Sequence, residues 1–254
     1  MTAADRDRLG ALRSELDERA QDWLKRALAE PDRLEISFAA AKRACGAPHA
    51  VRVRVALLAE HRPPAARLAE LYRRGNAAER LAVLEALPEL APDTDGSELV
   101  HDALRTNDPR LVAAALGPYG ACCLAPHDWR QAVLKCLFVG IPLAEVHDLA
   151  PRAAGDDELA RMLRDFAAER TAAGRTVPED LHHLLELTSR PAPARPAPDR
   201  SALDHPATGR PVADHPVTDH PVTGRPSTVP SPVDGPAAPR PTAPGEQRPT
   251  GQEI

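Results

Sequence analysis

The chain has 254 residues, of which 43% are hydrophobic, 27% charged and 3% aromatic, and its formal net charge is −5; this composition fits one or two globular domains. Of its 28 prolines, 16 follow Arg190, in a stretch with no Phe, Trp or Tyr and only seven Leu, Ile or Val, so that stretch cannot bury enough apolar surface to build a core. Through Arg190, 26 Lys and Arg face 30 Asp and Glu, which excludes a generic nucleic-acid binder, because phosphate contacts call for a basic face.

The expected organisation is an all-α domain over 1–189 followed by a disordered Pro/Thr/Asp/Arg-rich tail over 190–254, in which DHP and TGRP recur. The first 20 residues carry charges throughout and no apolar h-region, so no signal peptide is read there. The most apolar run, Cys136–Ala144, is interrupted by Gly140 and Pro142 and is too short to span a membrane. A cytoplasmic protein is expected.

Taken in chain order, Leu9, Leu12, Leu16, Ala20, Leu24 and Leu28 form one helical stripe that Pro31 ends. A second helix starts at Pro31, carries Leu34, Ile36, Phe38 and Ala41 inward, and stops at Gly46. Residues 51–58 alternate Val with Arg like a strand, but Val51, Val55 and Leu58 also fit helical spacing, and no partner strand is evident; helix is the reading taken. Helices over Pro64–Arg74 and Asn76–Leu87 follow, the second opened by an Asn76/Glu79 capping box. Ser97 caps a helix that ends near Thr106. Asp108 caps the next, with Pro109 in its first position and Gly117-Pro118 as its terminator. The helix His127–Val139 is apolar around most of its circumference and is expected to be central, with Asp128, Gln131 and Lys135 as a narrow polar strip. Helices over Asp156–Ala173 and from Pro178 to about Ser189 complete the series. The architecture expected is an irregular HEAT-like α-superhelix or a bundle of about ten helices.

Cys45, Cys122, Cys123 and Cys136 make no CxxC pair and read as reduced core thiols. Proline and glycine interrupt the Cys45/His49 and Cys123/His127 spacings, so no metal site is read, and no GxSxG, P-loop, GxGxxG or HExxH is present. Two polar groups stand out. The first is Asp102, Arg105, Asn107, Asp108 and Arg110: either a helix cap with a solvated face, or a polar rim that grips an anion or a partner loop. The second is Tyr119, Trp129, Arg130 and Lys135: either core anchors and local ion pairs, or the floor of a pocket with fixed cations. A Lys135 enclosed by apolar neighbours has to find a carboxylate or lose its proton.

The text LYRRGNAAERLAVLEALPEL, LVHDALRTNDPRLVAAALGPY, WRQAVLKCLFVGIPL and ELARMLRDFAAER, between Leu71 and Ala173, resembles the EboA-domain family of bacterial proteins; RTND, GPY and WRQAVLKC are its densest motifs. The likeness extends more weakly through DWLKRALAEPDRLEISFAAAKRACG. It implies a gene cluster that makes or exports a secondary metabolite, beside a UbiA-type prenyltransferase, a sugar-phosphate-cyclase-like protein, a TIM-barrel protein and a metal-dependent hydrolase. It brings no catalytic residues and no cofactor. The expected function is a non-catalytic helical adaptor or accessory protein that binds pathway proteins, the membrane prenyltransferase among them. The alternative is a small-molecule binder or enzyme acting on a phosphorylated or isoprenoid intermediate through Arg105, Arg110, Arg130 and Lys135.

Overall fold

A computed structural model describes residues 3–90 and 95–192, with side chains from residue 6 onward. Beyond Ala192, the tail expected from the proline content lies outside the described residues. Among the described residues there are thirteen α-helices, two short 3-10 turns and no strand, so the all-α expectation holds.

The helices are α1 (Ala3–Glu15), α2 (Glu18–Ala29), α3 (Leu34–Cys45), α4 (Ala50–His61), α5 (Ala65–Arg74), α6 (Ala77–Leu90) and α7 (Ser97–Arg105). They continue with α8 (Pro109–Ala115), α9 (Pro118–Cys123), α10 (Pro126–Val139), α11 (Leu149–Ala153), α12 (Asp157–Ala172) and α13 (Glu179–Thr188). The 3-10 turns are Pro31–Arg33 and Leu143–Glu145.

The capping chemistry is local. Asn76 Oδ1 accepts from the N–H groups of Ala78 and Glu79 while Glu79 reaches back to the Asn76 N–H at 2.9 Å, which satisfies donors that the first turn of α6 leaves orphaned. Asp108 caps α8 by accepting from the Arg110 N–H, with Pro109 in the first turn. Three expectations are corrected. The first stripe is two helices: Asp17 accepts from the Ala20 N–H and starts α2, while the apolar phase of Leu12, Leu16 and Ala20 runs on across the break. Ser97 is the first residue of α7, not its cap; Asp95 accepts from both its N–H and its hydroxyl. Ile36 is 61% exposed, because the buried positions Leu34, Phe38, Ala41 and Cys45 keep a spacing of four, three and four that leaves it out of phase.

The most extensive packing is between α4 and α6, with α3 and α1 also against α4, and α5 and α8 also against α6. Both central helices are buried around much of their circumference. Val53, Leu57 and Leu58 of α4 and Ala82, Val83 and Ala86 of α6 have no exposure. The central place expected of His127–Val139 therefore belongs to this pair. Helix α10 buries Trp129, Val133 and Cys136 but leaves Phe138 61% exposed, its ring tilted against Phe166 at 4.4 Å. One arginine in the Val/Arg run is buried: Arg54 of α4 donates to the Phe38 carbonyl (2.8 Å) and to Glu79 (3.0 Å), with its guanidinium over the Phe38 ring. It thus ties α3, α4 and α6 together, and burial pushes its pKa down from the ordinary arginine value.

Candidate functional site

The residues singled out in the sequence do not converge. Asp102 accepts from the hydroxyl of the buried Tyr72 (3.1 Å) and pairs with the exposed Arg105 at 3.4 Å, which latches α5 to α7. Desolvation, followed by the Asp102 charge, pushes the Tyr72 phenol above its ordinary value. Asn107 is exposed in the turn before α8. Asp108 takes a bidentate contact from the Arg110 side chain (3.1 and 2.8 Å), and that hydrogen bond holds its carboxyl below the usual range.

Tyr119 is half-buried. Its hydroxyl accepts from the Gly96 N–H at 2.8 Å and lies 3.5 Å from Asp95, fixing the turn that leads into α7. Trp129 is 1% exposed, and the Arg152 guanidinium lies 4.7 Å over its ring while donating to the Ala121 and Leu124 carbonyls at the end of α9. Arg130 donates from Nε to both oxygens of Asp156 (2.9 and 2.8 Å), and Asp156 also caps α12 through the Leu159 N–H. Lys135 finds neither a carboxylate nor a purely apolar surround. Its Nζ donates to the Leu104 and Thr106 carbonyls at 2.7 and 2.6 Å, placing a cation on the negative end of the α7 dipole. Arg130 and Trp129 share one open pocket with Arg152 and Asp156; Lys135 and Arg105 share another with Phe138; Arg110 opens onto a third.

That third concavity, about 1100 Å³, runs along α6, α8 and the Gly140–Ile141–Pro142 segment. Ala113, Ala114 and Gly117 line it as a set of small groups, together with Leu81, Leu84 and Pro88 and the charged Arg8, Arg62, Glu85, Glu89, Arg110 and Glu145. Pro88 lies inside α6 and has no N–H, so the Leu84 carbonyl lacks its i+4 donor. Glu85 lies along the same groove, and the bulk of protein around it pushes its carboxyl above the usual range, although its end remains open to water. Sequence reading passed over Glu85. Its signal was available: it is the one charged residue in the run Leu81–Leu87. Arg54, Tyr72 and Arg152 were also missed, because their partners are carbonyls, a carboxylate and rings 16 to 31 residues away.

The thiols divide. Burial pushes Cys136 up to about 11 and also raises Cys45 and Cys123, whereas Cys122 is exposed and not the core thiol expected. Among the described residues no group of three or more His, Cys, Asp or Glu is placed to hold a metal ion, and no helix is long and apolar enough to cross a membrane.

The class defined by these features is an all-helical protein with a broad groove lined by small, apolar and charged side chains, its sequence-nominated polar side chains engaged largely in joining helices. Residues 54–186, more than half of the chain, match the family model described as metabolite traffic protein EboA, and the chain belongs to that family. Membership places it among proteins of metabolite handling. No protein of curated function and no solved structure matches it.

Proposed function

We propose that the chain is a non-catalytic helical accessory protein of a secondary-metabolite pathway, acting in the cytoplasm by binding pathway proteins. One observation carries this reading: Asp108, Lys135, Arg130 and Tyr119 are engaged in caps and inter-helix ties, while the broad concavity along α6 and α8 presents the small groups Ala113, Ala114 and Gly117 within a lining that also carries charged side chains. Alanine and glycine let a partner's backbone approach closely and cost little side-chain entropy on docking, and a groove between helices suits an amphipathic partner helix. The partner proposed first is the UbiA-type prenyltransferase implied by the resemblance. The alternative through Arg105, Arg110, Arg130 and Lys135 has less support, because only Arg105 and Lys135 share a surface, while Arg110 and Arg130 open onto two others.

The test is a titration of the full chain against the detergent-solubilised prenyltransferase of the same organism, with Ala113→Arg as the comparison. Wild type should bind, and the variant should bind at least about tenfold more weakly with an unchanged melting temperature. No binding by wild type, or equal binding by both, overturns the proposal.

A further inference from the structure

Between α1, α4 and the middle of α6 lies a smaller pocket of about 270 Å³, which shares Arg8, Glu85 and Glu89 with the broad groove. Its walls are aliphatic: Leu9 and Leu12 from α1, and Val55, Ala56 and Ala59 from α4. Four charged side chains reach it. Arg52 is already held bidentately by Glu15 at 2.6 and 3.0 Å, and Arg8 is paired with Glu89. Glu85 has no hydrogen bond or ion pair with any described residue. Its end is exposed to water, while the protein packed around it raises its carboxyl above the usual range. Two cations are thus neutralised in place, and the pocket's remaining charge is one uncompensated carboxylate beside an apolar enclosure. A carboxylate with no protein partner at the mouth of an apolar concavity is a candidate binding group.

We propose that this pocket binds a small molecule with a compact apolar body and one protonated amine, the amine donating to the Glu85 carboxylate and the body lying between Leu9, Leu12 and the Val55–Ala59 face. An anionic head group would meet the Glu85 charge, and a neutral one would leave it unanswered. The volume suits a single ring on a short chain. This goes beyond the partner-binding reading: it assigns a ligand class to metabolite handling and does not depend on the Ala113 wall.

The experiment uses three probes with one phenyl ring and different heads: 2-phenylethylamine, 3-phenylpropionate and 2-phenylethanol. Each is titrated into the full chain and followed by amide chemical shifts. The amine should bind saturably, at least about tenfold tighter than the carboxylate, with the largest shifts at Leu9–Leu12 and Val55–Ala59. Glu85→Gln should bring the amine down to the level of the alcohol and leave the alcohol unchanged. Ala56→Leu, which fills the pocket without touching the charge, should weaken both amine and alcohol. Absence of saturable amine binding, a carboxylate bound as tightly as the amine, or an amine indifferent to either variant overturns the proposal. Ala113→Arg should leave amine binding intact, so failure of the pocket and failure of the partner-binding surface are read separately.

Discussion

Replacing Lys135 with Met keeps most of the unbranched stem and removes the ammonium that bonds Leu104 and Thr106 at 2.7 and 2.6 Å. Leu104 lies in the last turn of α7, whose final carbonyls have no intrahelical donors, and Thr106 is the residue that ends the helix. A hydrogen bond involving a charged group contributes about 1.5–3 kcal/mol, and a cation at a helix C-terminus about 0.3–1 kcal/mol. The two bonds share one charge and Lys135 is only partly buried, so their sum overstates the effect. The expected loss is about 2–3 kcal/mol, read as a shift in urea midpoint at constant slope in equilibrium unfolding followed by far-UV circular dichroism. The same variant should leave partner binding unchanged once it is folded. A loss under about 0.5 kcal/mol, or normal stability with abolished binding, would refute the capping role and restore Lys135 to the binding surface.

Three further outcomes follow from particular contacts. A Cβ on Gly120 would stand 1.8 Å from the Ala115 carbonyl oxygen, so Gly120→Ala must push α9 off α8; thermal unfolding should show a loss of at least about 2 kcal/mol. Arg130 and Asp156 are 23% and 11% exposed at the side chain, and a double-mutant cycle with Ala should give a coupling of about 1 kcal/mol, above the usual exposed pair. Glu85 has a folded-state pKa above its unfolded value, so the folded chain holds its proton more tightly. Its cost to stability is absent below the unfolded value and appears as pH rises through the folded one. Glu85→Gln should match wild type in acid and exceed it at neutral pH, and a variant less stable than wild type at neutral pH would contradict this.

Much of the fold was legible because helix ends are written locally. The Asn76/Glu79 box and the Asp108-Pro109 start each place their partners within three residues, and α4 emerged from an ambiguous Val/Arg run on the spacing of its valines. The α1/α2 break was hidden because its apolar phase is continuous across it; only the Asp17 cap marks it. The site was harder to read. Arginines, lysines and acids were visible, but whether each was free depended on carbonyls and carboxylates brought close by packing, as with Lys135 and α7 or Arg130 and α12. Glu85 shows the converse: counting apolar positions in Leu81–Leu87 favoured the leucines and passed over the one carboxylate in that run, which has no partner among the described residues.

That the working surface is the small-residue wall, and not the cations nominated by sequence, is tested most directly by one comparison. Wild type, Ala113→Arg and Arg105→Ala are titrated side by side against the solubilised prenyltransferase. Ala113→Arg should lose at least about tenfold in affinity while Arg105→Ala stays within about twofold of wild type. The reverse order, with Arg105→Ala weakened and Ala113→Arg unaffected, would contradict the account.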